Sequence, residues 1–197
     1  MDQINQLLFF ISDGMLIPVI VVLLFFFGRS LIMVGGFFGL AVQRFGARSV
    51  RDKHLGAVRG EAPRAACLAL SEQDKTIFSR AVQALVSATG DPARMDRVLS
   101  EAELSYHSEC EGAKVIMKVG PMLGLMGTII PMGPALTGLA TGDIGMMALN
   151  MQVAFGTTVV GLFCGIVGFV LSSIKRRWFA RDIIDLTYVR EVLDAEV

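Results

Sequence analysis

Three long stretches of this chain lack the interleaved polar positions that a water-exposed fold requires. Val119–Gly142 runs for 24 residues and Ile144–Ile174 for 31 without a charge, and Gly14–Val42 carries only Arg29. Crossing a hydrocarbon core about 30 Å thick takes about 20 apolar residues of helix, so each stretch is predicted to span a membrane. The segment between the first two is different. Glu61–Ala88 keeps an apolar stripe through Leu68, Ile77, Phe78, Ala81, Leu85 and Val86 beside charged neighbours, the pattern of an amphipathic helix. Thr89-Gly90-Asp91-Pro92 breaks it, with Asp91 placed to cap a new helix and Pro92 at its first position. From Ala93 to about Val115, Met95, Val98, Leu99, Ala102 and Tyr106 recur in steps of three and four. No breaker precedes Gly120-Pro121, so this helix is expected to run on into the second span. The predicted fold class is an all-α membrane protein: three transmembrane helices with a helical loop extending from the membrane. Its parts are residues 1–42 (N-terminus and first span), 43–115 (helical loop), 116–142 (second span), 143–178 (third span) and 179–197 (tail).

Composition narrows the class further. The chain is 53% hydrophobic and 18% charged, against about 25% charged in soluble domains, which excludes a soluble globular domain and a disordered chain. Eighteen basic and eighteen acidic residues cancel, so no field points to nucleic acid. The absence of Lys or Arg before Arg29 argues against a signal peptide. Cys67, Cys110 and Cys164 are odd in number and widely spaced, and His54 and His107 have no second ligand at metal spacing. No disulfide framework, metal site, organic cofactor or enzyme activity is therefore expected.

Charge placement sets the expected topology. Gln43–Lys114 holds eleven basic residues, and Lys175, Arg176, Arg177, Arg181 and Arg190 follow the third span. With Arg29 and Lys118 near span ends, every Lys and Arg falls on one side, while Ala140–Met147 has none. The positive-inside rule places that side in the cytoplasm, giving an outside N-terminus and a cytoplasmic C-terminus in a multi-pass protein of the bacterial inner membrane. The first span has two possible registers, because Gly14–Val42 would be roughly 43 Å of helix. Either it covers about Leu8–Gly28 with Arg29 anchored at the interface and Asp13 just inside the outer boundary, or it tilts and Arg29 snorkels.

The hairpin of spans two and three carries the candidate chemistry. Gly120, Gly124 and Gly127, and Gly161, Gly165 and Gly168, put small residues on faces where helices approach closely. Thr128 lies twelve residues before Ala140 and Thr158 eleven after Met147, so an antiparallel hairpin sets both about 17 Å below the outer surface. Each hydroxyl could bond its own i−4 carbonyl. A level-matched pair flanked by glycines points instead to a pore lining. No Asp, Glu, Lys, Arg or His lies between Val119 and Ile174 except Asp143 in the turn. A proton carrier at mid-membrane would therefore have to come from another chain.

The runs Gly-Leu-Met-Gly-Thr-Ile-Ile-Pro (124–131) and Ala-Phe-Gly-Thr-Thr-Val-Val-Gly-Leu (154–162) resemble the MotA/TolQ/ExbB proton channel family. The resemblance covers roughly Ala113–Arg177, and the three-span topology agrees over the whole chain. It implies a homo-oligomeric ring, typically a pentamer, around two copies of a single-span ExbD/TolR/MotB-like partner bearing an intramembrane Asp. It also implies a stator or motor complex that couples proton flow to envelope work, motility or protein transport. Thr128 and Thr158 would be the pore threonines, with Thr157 their neighbour about 100° round the helix, while Pro131 and Pro134 resemble the prolines of the MotA branch.

There are departures from the family pattern. The glutamate that the ExbB/TolQ branch often carries before the third-span threonine is absent, since Met151, Gln152, Val153 and Ala154 stand there. The long MotA loop and fourth span are missing too. Protons are the expected coupling ion, and threonines alone would also suit sodium. Two other readings compete: a non-conducting membrane scaffold, and a solute-permease subunit. The lack of mid-membrane charge weakens the second.

Overall fold

The structure is a computed structural model that describes residues 14–57 and 76–195, together with Gln3, Ile4, Leu7, Phe10, Ile11 and Cys67; for residues 43 and 45–57 it describes the backbone alone. Asp13, Leu68, the expected helix start at Glu61 and the His54 side chain lie outside the described residues. Among the described residues every regular element is helical: α1 (Leu16–Ala57), α2 (Ile77–Ser87), α3 (Pro92–Thr141) and α4 (Ile144–Asp194).

Helix boundaries follow local chemistry. Thr76 caps α2, its hydroxyl oxygen accepting from the Ser79 amide at 3.3 Å. The chain then turns at Gly90, whose φ of +94° suits only a residue without Cβ. Asp91 caps α3 as its sequence position predicts, accepting from the Arg94 amide at 3.2 Å. α3 continues through the expected span boundary as one 50-residue helix despite internal Pro121, Pro131 and Pro134. Prolines are tolerated in spans where neighbouring groups meet the freed carbonyls. Gly142, at φ +78°, turns the chain, and the Asp143 carboxylate accepts from the Met146 amide at 2.9 Å to start α4. With no Pro or Gly between Phe169 and Asp194, nothing stops α4 at residue 178, and the expected tail is its last turns.

The chain forms two compact units. The first comprises Met1–Gly36 and Gly112–Ser172. Its spine is the α3–α4 seam, where glycines meet backbone to backbone. A Cβ at Gly161 would lie 2.7 Å from both the Gly120 carbonyl oxygen and the Gly124 Cα, and one at Gly168 would lie 2.5 Å from the Met117 nitrogen. α1 packs on one side of this hairpin: Phe27 meets Phe163 with ring centroids 5.5 Å apart, and Ser30 is buried against the Cys164 thiol. Arg29 reaches Gly112, its Nη2 3.4 Å from where a Cβ would stand. The apolar stretch of α1 is Leu16–Val42, and Arg29 lies within it. Only 17% of the most apolar stretch of α1, and 33% of those of α3 and α4, is buried within the chain. The rest of this apolar surface needs lipid or other chains to cover it.

The second unit comprises Phe37–Glu111 and Ser173–Val197. The stripe on α2 (Phe78, Ala81, Val82, Leu85) packs with Met95, Ala102 and Tyr106 of α3 and Leu186, Val189 and Leu193 of α4. The partner that the stripe requires is thus supplied by the chain's own helices. Asp182 is fully buried and paired with Arg44. The Arg44 guanidinium also lies 5.3 Å above the Trp178 ring, which stacks on Phe37 at 5.2 Å. Lys175–Glu109 and Arg190–Asp96 add ion pairs at 3.8 and 2.9 Å.

Candidate functional site

The geometry of the threonines follows from the seam. Gly127 has no side chain, and Thr157 fills the space: a Cβ at Gly127 would come within 2.6 Å of the Thr157 Cβ and Oγ1. Thr157 is 8% exposed, and its hydroxyl donates to the Ala154 carbonyl at 2.9 Å. It is therefore held inside the helix pair, turned away from the open surface.

Thr128 and Thr158 stand differently. The Gly127–Thr157 contact fixes the register, so the two residues lie within about 3 Å of the same depth. Thr128 follows Gly124 by four residues and Thr158 precedes Gly161 by three, so each flanks the seam at roughly 40–60° from its centre line. In an antiparallel pair these offsets bring both to the same side. Cys164, which meets Ser30 of α1, lies about 120° round α4 from Thr158, so the two threonines occupy the side of the hairpin that α1 leaves uncovered. Both are half-buried. The Thr128 hydroxyl donates to the Leu125 carbonyl at 2.7 Å, and that of Thr158 to the Ala154 carbonyl at 3.0 Å. Local bonding thus takes up the donor of each hydroxyl, while each oxygen keeps acceptor capacity toward the uncovered side.

Prolines and glycines complete the site. Pro131 is fully buried and has no N–H, so the carbonyl of Gly127 lacks its helical partner one residue from Thr128. Pro134, half-buried, does the same to Ile130. Gly120 and Gly124 face Gly161 and Gly165 so closely that Cβ atoms there would sit 2.9–3.2 Å from their nearest neighbours, and Gly165 lies against the Pro121 ring. The site is then two acceptor hydroxyls at one depth on a glycine-welded hairpin, with a freed carbonyl nearby. Such a surface can receive a hydrogen bond from a protonated group or from water. It holds no titratable group of its own.

The sequence reading did not foresee the Arg44–Asp182 pair. Its members stand 138 positions apart, and neither belongs to a local pattern. Among the described residues no cluster of His, Cys, Asp or Glu could hold a metal, and all three cysteines are buried.

Compared with known proteins, residues 69–186 match the family model described as the MotA/TolQ/ExbB proton channel family. The match covers more than half of the chain and contains all three threonines. No curated protein and no solved structure matches it significantly.

Proposed function

The chain belongs to the MotA/TolQ/ExbB proton channel family, and on that premise we propose that it is the ring-forming subunit of a proton-driven inner-membrane stator. It conducts protons together with a single-span ExbD/TolR/MotB-like partner that supplies an intramembrane Asp. It works as a homo-oligomer, a pentamer around two such partners, with its N-terminus outside and its C-terminus in the cytoplasm, and without enzyme activity or organic cofactor. The observation that carries this reading is the pair of half-buried acceptor hydroxyls, Thr128 and Thr158, at one depth on the side of the hairpin away from α1.

A threonine cannot carry charge at physiological pH, but it can steady a carboxyl group that does. A protonated Asp facing the pair donates to one hydroxyl oxygen, and the proton leaves when the carboxylate reaches water. The mostly unburied apolar surface of the spans supports assembly with other membrane segments. Moving one charge through 100 mV releases about 2.3 kcal/mol, so a few protons suffice to repack a ring interface.

The test is Thr158→Val in the complex co-purified with its partner and reconstituted in proteoliposomes. Valine keeps the shape and removes the acceptor, so assembly by native mass spectrometry is retained while proton flux under an imposed potential falls at least tenfold. Undiminished flux would refute the pore assignment. A chain that purifies without a carboxylate-bearing partner would favour the scaffold reading.

A further inference from the structure

Lys114 and Lys118 take no part in the threonine site. From Gly112 to Ser172 the only charged side chains are these two and Asp143. Asp143 lies at the turn, so the hairpin carries a carboxylate at one end and two ammonium groups at the other. Lys118 precedes Thr128 by ten residues and Lys114 by fourteen, which sets them about 15 and 21 Å farther from the turn. Around α3 they fall about 80° and 40° beyond Thr128, moving away from the seam. Gly112, where Arg29 of α1 rests, is on the other flank of α3, about 120–160° from both lysines. The lysines therefore share the uncovered side of the hairpin with Thr128 and Thr158. Lys118 is exposed and Lys114 half-buried. Among the described residues Lys118 forms no ion pair.

We propose that Lys118, with Lys114 behind it, forms a cationic inner mouth to the conduction path and makes that path selective for protons over sodium. The inference rests on the conducting-ring reading and deepens it, because threonine oxygens alone would accept either ion. In a closed ring the lysines of every copy stand at one depth around one opening, and their fields add between apolar walls. Rings of charged side chains set the sign of the ion that a pore admits. A sodium ion leaving the threonine level keeps its charge and must climb against the ammonium groups. A proton has another route. The partner's carboxyl group gives it to an anionic base that the lysines attract, hydrogen phosphate or hydroxide. The acid's O–H bond breaks, a new one forms on the base, and the carboxylate stays behind. The product, dihydrogen phosphate or water, carries no positive charge past the mouth.

The experiment compares proton flux with radioactive sodium uptake under an imposed potential, in proteoliposomes holding the complex co-purified with its partner. Native mass spectrometry checks that each variant assembles. The wild type passes protons, and its sodium uptake equals that of protein-free vesicles. Lys118→Glu reverses the charge at the mouth and raises sodium uptake at least tenfold. Lys118→Gln, a milder change for assembly, raises it severalfold, and Lys118→Arg keeps both fluxes at wild-type values. Arg29→Gln removes a cation from the flank that α1 covers and leaves sodium uptake unchanged, which separates a local mouth from an effect of net charge. An assembled Lys118→Glu or Lys118→Gln complex that stays closed to sodium overturns the mouth and leaves proton conduction standing. So does an Arg29→Gln complex that leaks as much sodium, or a wild type whose sodium uptake matches its proton flux. A wild-type complex that passes no protons overturns the conducting reading, and this inference with it.

Discussion

Replacing Gly161 by alanine tests the packing on which the threonine site is built. Its added methyl would sit 2.7 Å from the Gly120 oxygen and the Gly124 Cα. Both are backbone atoms that no rotamer change can move. Ordinary contact begins at about 3.4 Å, so α3 and α4 must part by about 0.7 Å at this level, at an overpacking cost of about 3 kcal/mol. Alanine's better helix propensity returns up to about 1 kcal/mol, leaving a net loss of about 2 kcal/mol. Gly156 is the control on the same helix: nothing lies within 4 Å of its Cβ position, so Gly156→Ala is neutral or stabilising by up to about 1 kcal/mol. Cys164 is a built-in reporter. It is fully buried, and its Cβ is 2.9 Å from the Cβ position of Gly120, so its thiol reacts when the seam opens. With Cys67 and Cys110 replaced by serine, the thermal midpoint of thiol-dye labelling in one detergent gives the answer. At about 2–4 °C per kcal/mol for a chain of this size, Gly161→Ala lowers the midpoint by about 4–8 °C, and Gly156→Ala leaves it unchanged or raises it slightly. Equal shifts for the two alanines, or a Gly161→Ala midpoint at or above the parent's, would show that the seam is not close-packed here.

Other changes probe the second unit. Asp182→Ala strands the Arg44 charge and costs about 2–3 kcal/mol, less than a fully buried pair because a quarter of the Arg44 side chain reaches solvent. The double change Arg44→Met with Asp182→Leu recovers most of that in thermal unfolding, and a double variant as unstable as the single would dissolve the pair as an energetic unit. Gly90→Ala forces a Cβ into φ +94° and costs about 1–2 kcal/mol, read as faster hydrogen exchange across α2. Thr76→Ala removes the cap of α2, costs about 1 kcal/mol, and raises exchange at the Ser79 amide first.

Much of this molecule is legible along the chain. Membrane spans follow from charge-free length, the α3 start from Asp91-Pro92, and the equal depth of Thr128 and Thr158 from counting residues out from one turn. These properties depend on neighbours in sequence or on a single antiparallel fold-back, so one dimension suffices. The tertiary structure decided matters of direction and of distant pairing. It turned Thr157 into the Gly127 notch while leaving Thr128 and Thr158 on the uncovered side, because a 100° step on a helix means nothing until the partner helix fixes a seam. It carried α4 through to Asp194, since the core of the second unit needs Leu186, Val189 and Leu193. It also brought Arg44 to Asp182 across 138 positions, a meeting that depends on how two helices pack and that no local pattern of residues encodes.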